Sequence, residues 1–227
     1  MIELLNCDCM DYLAGLPDKA FELAIVDPPY GIGIDGQKYD ANKKGQQVRK
    51  AHAMKAWDRS IPEAQYFSEI KRVSQDQIIW GGNYFTDYLP PSKAWVFWYK
   101  GQNDLTMSDG EMAWTSLKKV TRQINLHRTH LWQEGPIHPT QKPVALYEWL
   151  LTNYAKPGDR ILDTHLGSGS SAIAAHNLGF DFVGMELDAD YYAAACKRFE
   201  AHKAQASLFT PDDYDLVQRV YRQEEIL

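Results

Sequence analysis

Cysteine is scarce in this chain: three in 227 residues, Cys7, Cys9 and Cys196. An odd count argues against a disulfide framework. Cys7 and Cys9 are spaced C-x-C and belong to no wider Cys/His cluster. They read as small apolar side chains at a strand end, and no metal is expected. No apolar run approaches the roughly 20 residues of a membrane span, so no membrane role is expected. The opening Ile-Glu-Leu-Leu has no basic n-region or apolar h-region, so no signal peptide is expected and the default location is the cytoplasm. Positive charge is also short overall. The net charge is −6, which by itself counts against a nucleic-acid partner.

What is present is ordinary for a globular protein, with 44% hydrophobic and 24% charged residues. The length suits one α/β domain. The basic residues are clustered rather than plentiful. Between Lys38 and Arg59 stand Lys38, Lys43, Lys44, Arg49, Lys50, Lys55 and Arg59, against Asp40 and Asp58. Between Met112 and Gln133 stand Lys118, Lys119, Arg122 and Arg128, with His127 and His130 and no acid. Both runs are candidate phosphate contacts.

Apolar runs bounded by turns predict strands at Ile2–Asn6, Phe21–Val26, Gln77–Trp80, Ala94–Trp98, Arg160–Leu162 and Phe180–Met185. Helical patterns lie at Pro62–Val73, Val144–Tyr154, Ser170–Leu178 and Asp188–His202, with a last one at Asp212–Arg222. Strands alternating with helices predict a mostly parallel sheet covered on both faces. Residues 31–59 fit no period and read as a long basic loop, expected to be mobile.

Two segments carry chemistry. The first is Asp163-Thr-His-Leu-Gly-Ser-Gly-Ser-Ser171, between a strand and a helix. Gly167 and Gly169 let a ligand approach the backbone, and the helix that follows offers free N–H groups. A second strand ends in Glu186, placed to hold the two hydroxyls of a ribose. The full G-x-G-x-x-G spacing is missing, so an adenosine cofactor without a pyrophosphate fits better than a dinucleotide.

The second is Asp27-Pro28-Pro29-Tyr30, directly after a predicted buried strand. The prolines end the ladder and stiffen the turn. An amino group has two donors, and the Asp27 carboxylate and Pro28 carbonyl can take one each. Tyr30 offers a flat ring for a base to stack on.

Together with His138-Pro-Thr-Gln-Lys-Pro143, these segments resemble the amino-methyltransferases that modify adenine N6 or cytosine N4 in DNA. The motif order is similar to that of the permuted β class, and the likeness runs from Leu5 to about Phe199. It implies a Rossmann-like fold with a mainly parallel seven-stranded sheet and helices on both faces. It implies a single catalytic domain over residues 1–227, with the basic loop 31–59 and a short target-recognition region at about 103–137. Asp27, Pro28, Pro29 and Tyr30 would be catalytic.

The implied cofactor is S-adenosylmethionine, leaving as S-adenosylhomocysteine, with no metal. Asp163, Gly167, Ser168, Gly169 and Ser170 would cradle its methionine part. Glu186, followed by Leu187, would hold the ribose. Asp8, with Cys9 beside it, would contact the adenine. Thr140, Gln141 and Lys142 would lie near the cofactor carboxylate. Gly81-Gly82-Asn83 and Glu111 also look like family positions.

The family pattern has Pro and Phe after the loop Asp, where Thr164 and His165 stand here. His165 could pack as a flat ring against the cofactor. Asp rather than Ser before Pro-Pro leans toward adenine; cytosine N4 and RNA are the alternatives. The expected partner is double-stranded DNA, held by Lys38, Lys43, Lys44, Arg49, Lys50, Lys55, Lys118, Lys119, Arg122 and Arg128. The flipped base would sit between Tyr30 and another aromatic such as Trp57 or Tyr39. The short recognition region predicts a short site or weak sequence preference, unless a homodimer supplies further contacts.

Overall fold

The strand β2, Phe21–Val26, explains the layering of the whole molecule. Successive side chains of a strand point to opposite faces. Leu23 and Ile25 enter one core with Ile78, Trp80, Val96 and Trp98. Ala24 and Val26 enter the other with Ile79, Leu162 and Val183. A strand buried on both faces carries no polar alternation, which is why FELAIV reads as a continuous apolar run.

The computed structural model describes residues 1–34, 55, 57–102, 108–127 and 134–205. Its eight strands are β1 (Ile2–Leu5), β2, β3 (Ser74–Trp80), β4 (Trp95–Tyr99), β5 (Gly110–Thr115), β6 (Arg122–Asn125), β7 (Arg160–Asp163) and β8 (Asp181–Met185). They form one sheet in the order β1-β8-β7-β2-β3-β5-β4-β6. The sheet thus has eight strands where seven were expected, the short β6 pairing in parallel with β4 at one edge. Among these strands only β5 runs against its neighbours, β3 and β4. Asp212–Arg222 lies outside the described residues.

The helices are α1 (Cys9–Ala14), α2 (Ala64–Val73), α3 (Val144–Tyr154), α4 (Ser170–Asn177) and α5 (Ala189–Lys203). Helices α1 and α2 supply Leu13, Tyr66, Phe67, Ile70 and Val73 to one core. Helices α3, α4 and α5 supply Leu146, Leu150, Ile173, Ala195 and Phe199 to the other. Two starts are set by aspartates: Asp8 accepts the N–H of Met10, and Asp188 accepts those of Asp190 and Tyr191.

From β7 the chain moves outward to β8, and from β2 it moves the other way to β3. The carboxyl ends of β7 and β2 therefore meet where the connections diverge. Such a switch point opens a crevice in α/β sheets. Strand β2 delivers Asp27 there, and β7 delivers Asp163.

Candidate active site

A cavity of about 890 Å³ opens at this switch point, within the range of small-molecule sites. Its lining includes Asp8, Cys9, Asp27, Pro29, Thr140, Gln141, Lys142, His165, Gly167, Ser168, Ser170, Glu186 and Leu187. Stretches distant in sequence are thus brought to one cavity. Pro28, Tyr30, Asp163 and Gly169 are not part of its lining. Thiol chemistry has no support at Cys9, where burial pushes the pKa up to about 12.

The loop after β7 is built around a buried carboxylate. Asp163 Oδ1 accepts the N–H of His165 at 3.0 Å, and Oδ2 accepts the Ser171 hydroxyl at 2.6 Å. Burial raises this acid to about 7. The loop turns at Gly167 with φ +53°, where a Cβ would meet only the His138 ring, at 3.8 Å. That side of the backbone is open to the cavity. Glu186 is fixed by two backbone donors, Gly167 N–H to Oε2 and Asp188 N–H to Oε1, both at 2.9 Å. Each of its oxygens keeps a lone pair for a further donor.

His165 stands where the resembled family has an aromatic. Its ring packs edge-on to Tyr66 at 5.4 Å, and Nδ1 lies 2.9 Å from the Thr164 hydroxyl. Burial holds it down to about 4, so the ring is neutral. A neutral flat ring therefore lines the cavity at this position.

Asp27 sits in a chain of charges. Its Oδ1 accepts the Tyr30 hydroxyl at 2.6 Å, and its Oδ2 is paired with Lys142. Lys142 also reaches Glu111 Oε2 at 3.1 Å and Tyr30 Oη at 3.3 Å. Glu111 Oε1 pairs in turn with Lys100 at 2.5 Å. The three donors of the Lys142 ammonium are therefore engaged by Asp27, Glu111 and Tyr30. Burial pushes Asp27 up and Lys142 pulls it back. Lys142 and Lys100 hold Glu111 down at about 2.

Tyr30 has one face covered by Tyr84, stacked at 5.0 Å and 15°. Tyr84 is the exposed ring of this stack. Gly81 makes room for it: at φ +69°, a Cβ there would fall 2.2 Å from the Tyr30 ring.

Neighbouring aromatics and Lys55 complete the lining. Trp57 packs on His138 at 5.3 Å, and His138 packs on Tyr191 at 4.4 Å. The Trp57 Nε1–H is buried with no partner among the described residues. Lys55 reaches Asp188 at 2.5 Å and Asp190 at 2.7 Å. Sequence reasoning assigned Lys55 to phosphates; the structure ties it to α5. Asp58 accepts the N–H groups of Gly31 and Ile34, which staples the two ends of the basic loop together.

Lys38, Tyr39, Lys43, Lys44, Arg49, Lys50 and Arg128 lie outside the described residues. Lys118, Lys119 and Arg122 are not brought to the cavity. Because β5 is reversed, residues 116–120 emerge at the amino ends of the parallel strands, the rim opposite Asp27. Lys119 there donates to the Asn153 carbonyl at 2.6 Å, at the end of α3. Met112–Thr115 and Arg122–Asn125, expected within the recognition region, are strands of the central sheet.

Sequence reasoning did not single out Arg198. Its guanidinium donates to the Ser168 carbonyl and the Ser170 hydroxyl, each at 2.9 Å, and pairs with Glu134 at 2.7 Å. Glu134 in turn accepts the Val144 N–H at 2.9 Å, at the start of α3. The glycine loop and the segment carrying Lys142 are thereby clamped to one helix.

A family model described as DNA methylase matches residues 63–197. The Type II methyltransferase M2.MboI of Moraxella bovis is 21% identical, over 85% of this chain and 85% of its own. The Type II methyltransferase M2.DpnII of Streptococcus pneumoniae is 44% identical over a shorter match, 28% of this chain and 24% of its own. The crystal structure of the M1.HpyAVI–SAM complex superposes with a TM-score of 0.59 at 20% identity, covering 87% of this chain and all (100%) of that one.

Proposed function

The chain belongs to the N6/N4 DNA methylase family, and from that membership we propose that it methylates adenine N6 in duplex DNA by direct transfer from S-adenosylmethionine. The observation that carries the reading is the shared cavity, lined together by Asp27, the glycine loop and Glu186.

The residues present suit this cofactor. Glu186, locked by two N–H groups, offers paired acceptors for vicinal hydroxyls. Asp8 and Cys9 would border the adenine, with the neutral His165 ring against the cofactor. Gly167, Ser168, Ser170 and Thr140 would border the methionine end. When bound, S-adenosylmethionine supplies a methyl group on a good sulfonium leaving group.

The chain's own work is positioning and electrostatics. A base within the duplex is out of reach, so it must flip out, at a cost of a few kcal/mol. It would enter beside the Tyr30–Tyr84 stack, which contributes about 1–3 kcal/mol per base. Asp27 and the Pro28 carbonyl would accept the amino hydrogens. This draws the nitrogen lone pair out of ring conjugation and aims it across the cavity. No cysteine nucleophile takes part. The basic loop 31–59 would contact phosphates, and the enzyme would act in the cytoplasm, where its DNA is.

The test is methyl transfer from labelled S-adenosylmethionine to unmethylated duplex DNA, read by nucleoside mass spectrometry. N6-methyladenine is the expected product. N4-methylcytosine would keep the chemistry and change the base, since the cytosine amino group presents the same two donors. Methylation of single-stranded RNA in preference to duplex DNA would overturn the substrate. Asp27→Ala should lower the rate by about 10²–10³-fold with cofactor binding intact.

A further inference from the structure

We infer that Lys142 and Glu111 are positioning residues that set the orientation and charge of Asp27, acting as a balanced pair rather than as a structural salt bridge. The inference rests on the proposed amino-methyl transfer and goes beyond it, naming what prepares the acceptor carboxylate.

Four elements meet to build the arrangement. Asp27 and Tyr30 come from the end of β2, Glu111 from β5, Lys100 from the residue after β4, and Lys142 from the segment before α3. The Lys142 side chain is only 3% exposed and its ammonium lies 5.2 Å from the Trp80 ring centre. An ammonium is placed so deep at a desolvation penalty, and apolar residues of similar volume would fill the space at least as stably. The charges alternate: Lys100, Glu111, Lys142, Asp27. Two acids face two bases.

Each member has a distinct effect on Asp27. Lys142 keeps the buried carboxylate ionised, so that it accepts hydrogens instead of donating one. By itself, an ammonium in contact would also draw off the negative charge that Asp27 needs. Glu111 draws the ammonium the opposite way and returns part of that charge. Tyr30 pins the other oxygen, so the carboxylate plane is fixed before a substrate arrives. Asp27 is thereby both charged and oriented.

Other titratable groups face Asp27. Asp163 projects from β7, Tyr66 from α2 and Tyr147 from α3, and each interacts with it through space. Burial raises Asp163 to about 7, and this acid is common to every variant. The diagnostic is therefore the displacement between variants.

The experiment is the pH dependence of kcat, with DNA and S-adenosylmethionine saturating, for the whole chain and three variants. Lys142→Met should move the acid limb upward by about one to three pH units. Glu111→Gln should move it downward. Lys142→Arg should restore most of the wild-type profile. Rates that fall while the limbs superimpose on wild type would overturn the inference and leave the network a structural one. Should Lys142→Met fail to fold, the downward shift of Glu111→Gln and the rescue by Lys142→Arg decide. A second readout needs no turnover: the ¹³C titration of the Asp27 carboxyl should move in the same opposite directions. An inactive wild type showing those shifts would sink the proposed reaction and keep the charge pair. An active wild type without them would do the reverse.

Discussion

Replacing Arg198 by methionine keeps most of the apolar stem and removes the guanidinium clamp. Its bonds go with it: to the Ser168 carbonyl and hydroxyl, the Ser170 hydroxyl and the Glu134 carboxylate. Hydrogen bonds to charged groups contribute about 1.5–3 kcal/mol each, but they are not additive, and Glu134 keeps its Val144 and Gln141 donors. The side chain is 14% exposed, so screening by water is modest. The expected loss is about 2–4 kcal/mol of folding stability, a fall in Tm of about 4–16 °C at this chain length. Urea denaturation at neutral pH measures it. A cycle with Glu134→Gln should show a coupling above about 0.5 kcal/mol, because the two side chains touch. Binding of S-adenosylhomocysteine should weaken about tenfold for each 1.4 kcal/mol that the loop anchor loses. A loss of stability below about 0.5 kcal/mol, the size of an ordinary surface change, would refute the clamp.

Two further outcomes follow from the same geometry. His165 is held near 4 when folded, from a reference of 6.5, so its contribution is complete above about 6.5 and is lost as pH falls toward 4. His165→Phe should remove that acid sensitivity, worth at most about 3 kcal/mol for this partly exposed ring, in denaturation midpoints compared at neutral and acid pH; an unchanged pH dependence would refute it. Gly81→Ala should lower both stability and turnover, since its Cβ would strike Tyr30 and its φ is positive. Unchanged near-ultraviolet circular dichroism and kcat would count against the Tyr30 placement.

Much of the fold was written in local pattern. The strand Phe21–Val26 and the helix Val144–Tyr154 match their predicted bounds, because each is a concentrated apolar segment between strong turn signals. The missed elements carry weak signals. Strand β6 is Arg-Gln-Ile-Asn at the sheet edge, where only Ile124 packs on the core, so no alternation betrays it. Helix α1 is six residues long, too short for a period.

The site was legible as motifs and illegible as contacts. Asp27 and Lys142 were both named, yet they stand 115 residues apart, and nothing local says that one neutralises the other. Glu111 reaches them only through the register of a reversed strand. Arg198 lay in an unremarkable helical pattern, and its partners come from the turn after β7 and from the segment before α3. The place of the basic residues at 118–122 was not legible, because charge in sequence says nothing about which rim of the sheet it occupies.

The middle position of β2 also governs how the chain acquires its fold during synthesis. β2 can pair with β3 early, but its other edge must wait for β7; Glu22 and Arg160, which hydrogen-bond there, are 138 residues apart. Contacts that distant slow folding, since the intervening loop must close first. Until then the nascent chain carries an unsatisfied apolar strand edge, a template for misassociation. Asp27 gains the rest of its cavity lining only when β7 docks, so catalytic competence arrives with the last third of the chain, and chains stalled before it should aggregate instead of acting as slow enzymes.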